Sequence, residues 1–366
     1  MKKHLILAGA GHAHLTVIQH LRDFRKKGHR ITVISPDEFH YYSGMGPGML
    51  AGIYAPEEIR FPVGKMVRAR GGIFIRNKVQ EVFPDEKKIR LESGEMLSYD
   101  VISFNLGSRI SWDRKDMGTN IFPVKPIENL LCARQKILSG LKEKKMKICV
   151  AGGGAAGAEI AAGIRRLVQD EKGDAEITLL AGKRLVPTFH PKVRTLLLDK
   201  LGKLGIAVKE GIRLQQIRRG NAELSDGSVP EEDLLFLAVG TVPPSVFRNS
   251  GLSVGKDGGL TVNSFLQSNE HAEIFGGGDC IDFAPRALPR VGVYAVRQNP
   301  VLLHNIRAAM EGSSRFRTFR PQKNFMLILS MGDGSGIFYR KSIVRSAKAA
   351  FWLKDYIDRR FMRSFL

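Results

Sequence analysis

The chain has 366 residues, 43% hydrophobic and 25% charged. That is long enough for two or three domains and apolar enough for a sizeable core, which excludes disordered and fibrous classes. The 57 Lys+Arg against 36 Asp+Glu give a net charge of +21, a balance that suits an anionic partner: nucleic acid, an acidic lipid surface or phosphate-rich ligands.

The first element is an apolar strand, Leu5-Ile6-Leu7-Ala8, broken at Gly9-Ala10-Gly11-His12. No small-x-small cleavage pattern follows, so this start reads as a strand and not as a signal peptide. A helix with Leu15, Ile18 and Leu21 on one face comes next, then a second apolar run at 31–34, together a βαβ unit. Alternation at 88–91, the turn Ser93-Gly94 and the buried-type run 101–104 predict strands and turns. The strand–glycine-turn–helix pattern then repeats as KICVAGGGAAGAEIAAGI, with Gly152, Gly154 and Gly157, followed by a strand at 177–180. Leu224-Ser225-Asp226-Gly227 is a turn, 234–239 is a strand ending at Gly240, and Pro243-Pro244 marks a crossover. A strand at 273–275 leads into Gly276-Gly277-Gly278-Asp279, and the chain closes with a β-like run at 325–330, a glycine-rich turn at 331–336 and an aromatic, basic helix.

A GxGxxG turn lets the backbone approach a pyrophosphate while the helix N-terminus supplies N–H donors and positive potential. One copy is a weak signal; two copies, each inside a βαβ unit, point to two dinucleotide sites. The copies differ. In the first, His14 takes the third glycine position, where a side chain loosens helix–strand packing unless it turns outward. Ser35 stands where an acid for the ribose hydroxyls is expected, with Asp37 two residues on. Asp37 reads equally as a ribose partner and as a loop carboxylate. In the second copy all three glycines are present and Glu159 follows, but the acidic position is Ala181-Gly182, then Lys183-Arg184. That pair reads either as a contact for the 2′-phosphate of NADPH or as a solvated loop.

With these motifs the chain resembles pyridine nucleotide–disulfide oxidoreductase-type flavoproteins. It is most similar to type II NADH dehydrogenases, sulfide:quinone oxidoreductases and the flavoprotein module fused to selenide, water dikinase. GAGHAH, YYSGMGPGMLAGIY and KDYIDRRFM carry the last likeness. The resemblance implies an α/β fold with two Rossmann-like dinucleotide-binding domains, one for FAD and one for NAD(P), and a C-terminal interface segment. The expected division is 1–112 and 243–318 for FAD, 113–242 for NAD(P) and 319–366 for the interface. It implies that the strand ending at Gly278 and Asp279 is the second FAD fingerprint, with Asp279 on the ribityl chain. The other FAD contacts it implies are Gly9, Gly11, His12, Ser35, Asp37, Gly44, Pro47, Val79, Asn105, Gly107, Gly292 and Val293. Nucleotide contacts would be Gly152, Gly154, Gly157 and Gly240, and Glu159 would lie near the nicotinamide–flavin junction as the catalytic group, or would be a helix-surface carboxylate paired with Arg165 or Arg166. The implied reaction passes electrons from NAD(P)H through FAD to a quinone-type acceptor. A soluble or selenium-linked acceptor, sulfide oxidation and a non-enzymatic flavin- or nucleotide-binding scaffold are the alternatives.

The three cysteines, Cys132, Cys149 and Cys280, form no CxxC or CxxxxC pair; they point to a reducing, cytoplasmic setting and away from disulfide or cysteine-based sulfide chemistry. His12 and His14 are two potential ligands and do not make a metal site. Residues 301–366 carry 13 Lys+Arg against 4 Asp+Glu. The last helix has a stripe Ala350, Leu353, Ile357, Phe361 and Phe365, expected as one face, with Phe351, Trp352, Met362 and Leu366 off it. A basic helix with surplus aromatics suits an anionic membrane surface, here the inner face of the cell membrane; a homodimer contact or packing on its own domain, which Asp355 and Asp358 favour, are the alternatives. No element that reads nucleic acid is present.

Overall fold

The computed structural model describes residues 1–112 and 114–366; the expected boundary between 112 and 113 falls at Asp113, outside the described residues. Two five-stranded parallel sheets organise the chain. The first has the order Ile274–Gly276, Val101–Phe104, His4–Ala8, Arg30–Ser35, Ile73–Arg76. The second has the order Ile121–Pro123, Leu234–Leu237, Met146–Ala151, Ala175–Leu180, Ile206–Lys209. In each, the strand before a glycine turn lies at the centre. Such strands are covered on both faces, which is why they read as continuous apolar runs: Leu5, Ile6, Leu7 and Ala8 have no exposed surface. The chain leaves the first sheet after Val101–Phe104 and returns to it only with Ile274–Gly276, so its outermost strand comes from far along the sequence.

The predicted strands and turns between the glycine motifs form an antiparallel meander, Val79–Phe83, Lys88–Leu91 and Met96–Ser98. The second half has the corresponding hairpin, Leu214–Arg218 with Asn221–Leu224. The last strands, Leu327–Ser330, Gly336–Arg340 and Ile343–Ala347, form a separate antiparallel sheet, against which the helix Lys348–Arg363 packs.

That helix is rotated from its expected setting. Ala350, Asp358, Met362 and Phe365 are buried, whereas Leu353 and Ile357, members of the expected inward stripe, are 40% and 37% exposed. The reason is polar. Lys354 Nζ donates to Asp358 Oδ2 (2.5 Å) and to the Gly44 carbonyl (2.6 Å), and Tyr42 Oη donates to Asp358 Oδ1 (3.0 Å). These bonds turn the i,i+4 ion pair inward, where its charges are satisfied. Trp352, Leu353, Tyr356 and Ile357 are left facing outward. No helix among the described residues is long and apolar enough to cross a membrane.

Candidate dinucleotide site

The two glycine turns are built by different means. In the second, Gly152 and Gly157 each have a separate steric reason. A Cβ on Gly152 (φ +132°) would lie 2.2 Å from the Ala238 carbonyl oxygen, and one on Gly157 would lie 1.8 Å from that of Gly152, so the helix Ala155–Asp170 starts hard against the strand end. A Cβ on Gly154 would meet nothing within 4 Å: this position faces open space, as does Gly240.

In the first turn, a Cβ on Gly9 (φ +88°) or Gly11 would strike Asn105. His14 does not turn outward, as the third-glycine argument required. It is fully buried, with Nδ1 2.6 Å from the Gly9 carbonyl and Nε2 2.8 Å from Ser103 Oγ. A carbonyl can only accept, so Nδ1 carries the proton and Nε2 accepts from Ser103. Burial holds this imidazole neutral, its pKa lowered to about 4. The ring thus fills the space a glycine would leave and bonds the turn to the neighbouring strand. The helix begins there with a 3₁₀ turn, His12–His14, and continues in two short pieces. Asn105 completes the frame by accepting from Ala13 N–H (3.0 Å) and donating to the Gly277 carbonyl (2.7 Å). Asn299, from the helix Gly292–Glu311, donates to the His12 carbonyl and accepts from Thr16 N–H.

Beside this frame runs a cavity of about 520 Å³, within the range of cofactor sites. Gly9, Gly11, His12, Ser35, Asp37, Pro47, Val79, Asn105, Gly107, Gly278, Asp279 and Gly292 line it, as do Ala156 and Ile160 of the second motif's helix. The expected residues, scattered over 284 positions, thus share one wall. Gly44 and Val293 do not line it: Gly44 instead gives its carbonyl to Lys354. Gly152, Gly154, Gly157, Gly240 and Glu159 also lie off this cavity, in the second half.

The residues present fit an extended dinucleotide such as FAD. Added Cβ atoms at Gly107 (φ +70°) and Gly292 would meet no protein atom within 4 Å, so both backbones stand open to a ligand. Gly292 and Ala295 bring the first turn of a 20-residue helix to the cavity, where its N–H groups favour negative charge. Asp279 sits at a strand end, its Oδ2 accepting from Lys125 Nζ (2.6 Å) and Ser108 Oγ (2.9 Å). Asp37 accepts from Phe39 N–H (3.1 Å), an Asx-type turn, and also lines the cavity, so it serves its loop and faces the ligand space together.

Among the lining residues that the sequence did not single out are Lys125 and His40. Lys125 follows the strand Ile121–Pro123, and its signal was a lone cation in an apolar strand end. His40 lies in the aromatic run Phe39-His40-Tyr41-Tyr42 after the strand Arg30–Ser35. His40 Nε2 is 3.1 Å from His12 Nδ1.

Glu159, on the helix Ala155–Asp170, is half-buried against the C-terminal segment and forms no ion pair with Arg165 or Arg166. Its Oε1 accepts from Ser330 N–H (2.8 Å). Burial raises its pKa to about 7, opposed by Lys354 and the Ser330 bond and assisted by Asp358. Cys149 and Cys280 are buried, Cys280 pushed up to about 12 by burial, and Cys132 is exposed. Lys183 and Arg184 are exposed, and Glu210, from the adjacent strand end, is engaged with Arg194 and Leu185 N–H.

Comparison with known proteins agrees with this architecture. Residues 3–306 match the pyridine nucleotide-disulphide oxidoreductase family. The type II NADH:quinone oxidoreductase of Staphylococcus saprophyticus is 23% identical over an alignment of 388 positions, covering 98% of this chain and 95% of the relative. The sulfide:quinone oxidoreductase of Aquifex aeolicus superposes with a TM-score of 0.81 at 16% identity, over 99% of this chain and 91% of that one. NDH2 of Plasmodium falciparum in complex with NADH gives 0.80 at 14% identity, over 99% and 96%. The chain belongs to the pyridine nucleotide-disulphide oxidoreductase family.

Proposed function

We propose that this protein is an FAD-dependent NAD(P)H:quinone oxidoreductase that works at an anionic membrane surface. The observation that carries the reading is the single cavity built by the first glycine turn, Asp279 and the Gly292 helix end, and closed by Ala156 and Ile160 from the second glycine motif. That arrangement supports a flavin site lying beside a nicotinamide site. The likeness to a type II NADH:quinone oxidoreductase over nearly the whole chain supports quinone as acceptor.

Bound FAD would accept hydride from reduced nicotinamide and pass two electrons on. The chain's part is placement. Gly107 and Gly292 admit the ligand's close approach, Asp279 offers a carboxylate to its hydroxyls, and Lys125 balances that charge. Gly154 and Gly240 leave room for the nucleotide. Glu159, raised to about 7 by burial, is suited to exchange a proton near neutral pH. The division at 112/113, 242/243 and 318/319 belongs to the same reading. The outward Trp352, Leu353, Tyr356 and Ile357, with Arg360 and Arg363 nearby, would lie on the inner face of the cell membrane. Sulfide oxidation through cysteines finds no support in a buried, high-pKa Cys280.

The test is anaerobic mixing with NADH or NADPH, followed by a soluble quinone. Bleaching of the visible flavin band by either nucleotide and its return on adding quinone are expected. A flavin that neither nucleotide bleaches would overturn the reading in favour of a binding scaffold.

A further inference from the structure

We propose that His12 and His40 form a proton relay serving the acceptor at this cavity, a role that rests on the quinone-reductase reading above. His40 Nε2 and His12 Nδ1 are 3.1 Å apart, the rings edge-on with centroids at 4.6 Å. Both residues line the cavity. The far nitrogen of His12, Nε2, is buried without a hydrogen-bond partner among the described residues. Around the pair stand Tyr42 and Phe361, 5.3 and 6.1 Å from the His12 ring, and Phe61, 6.3 Å from the His40 ring.

The chemistry requires such a route. In the reaction NAD(P)H + H⁺ + quinone → NAD(P)⁺ + quinol, the nicotinamide supplies two electrons and one hydrogen. The quinone needs two hydrogens, so one proton must be drawn from water. A proton relay needs groups with a donor on one side and an acceptor on the other, which is the neutral imidazole. Burial keeps both rings neutral here, His12 also facing the charge of Lys125. One proton occupies the shared N···N bond. The ring that accepts in that bond carries a second proton on its outer nitrogen; a third entering at the outer nitrogen of the other ring drives the shared proton across and releases the second, and neither ring retains charge. The competing groups in the cavity are less suited. Asp279 is paired with Lys125, and Glu128 is raised by burial and by the nearby charge of Asp37.

The experiment compares two acceptors within each variant of the flavin-loaded protein. Ferricyanide takes one electron and no proton; a soluble quinone takes two of each. In His40→Gln and His12→Gln, which keep a polar side chain but cannot relay, the quinone-to-ferricyanide rate ratio is expected to fall by about 10²-fold. Added imidazole should restore part of it in His40→Ala. Independently of turnover, ¹⁵N-histidine spectra should show a hydrogen-bonded imidazole pair that is lost in either Gln variant. An unchanged ratio in both Gln variants, or rings that do not share a proton, overturns the relay. A wild type that ferricyanide reoxidises and quinone does not overturns the quinone reading, and the relay with it.

Discussion

At the scale of the residue, Gly157 and Gly154 occupy one turn under opposite constraints. A Cβ on Gly157 would fall 1.8 Å from the Gly152 carbonyl, and the backbone cannot yield cheaply there. Gly157→Ala is therefore expected to cost about 2–3 kcal/mol, read as a lower Tm. Gly154 has φ −82° and ψ −178°, ordinary for alanine, with nothing within 4 Å. Gly154→Ala should leave Tm unchanged and raise the KM for NAD(P)H by about tenfold, because its methyl enters the space assigned to the nucleotide. An unchanged KM would remove Gly154 from the nucleotide site. His14 shows where residue-level reading stops. Its place in the motif was visible, but Ser103, its partner on another strand, was not, so the direction of the ring could not be read.

At the scale of the element, the C-terminal helix separates pattern from placement. Its two apolar sides are evident from the spacing, but apolar periodicity ranks faces only by hydrophobicity. The inward face was decided by Lys354 and Asp358, which find Tyr42 and the Gly44 carbonyl some three hundred residues away in sequence. The outward residues Trp352 and Tyr356 are 67% and 61% exposed, so replacing them with serine should leave thermal stability near wild type. Trp352→Ser/Leu353→Ser/Ile357→Ser is expected to weaken binding to anionic liposomes by about tenfold or more. Arg363→Gln should weaken it by about fivefold in low salt, less in high salt. Full retention of liposome binding in the triple variant would assign this face to another partner, such as a second copy of the chain.

At the scale of the whole molecule, Glu159 is the point where the second parallel sheet's helix, the strand ending at Ser330 and the C-terminal helix meet. Its pKa is about 7 in the folded protein against an ordinary 4.5. Between those values the folded chain binds more protons than the unfolded one, so this group's contribution makes stability fall as pH rises through that window. Glu159→Gln can still accept from Ser330 N–H and removes the cost of ionisation. Its Tm should exceed that of wild type by a few degrees at about pH 8 and converge with it towards about pH 4.5. A difference that does not vary with pH would mean that Glu159 is ionised throughout.

Sequence alone determined the repeated βαβ units, the glycine turns and the strand that delivers Asp279, because each is fixed by local periodicity and by backbone sterics within a few residues. The resemblance to a known family also pointed to most of the cavity wall, where Gly107 and Gly292 are backbone that stands open. The tertiary structure decided what depends on partners distant in the chain. These are the inward turn of His14, the removal of Gly44 from the cavity to the C-terminal helix, the Lys125–Asp279 pair and the meeting of His12 with His40. Charge and hydrogen bonding act over a few ångströms, and only the fold brings residues 12, 40, 125 and 279 within that distance.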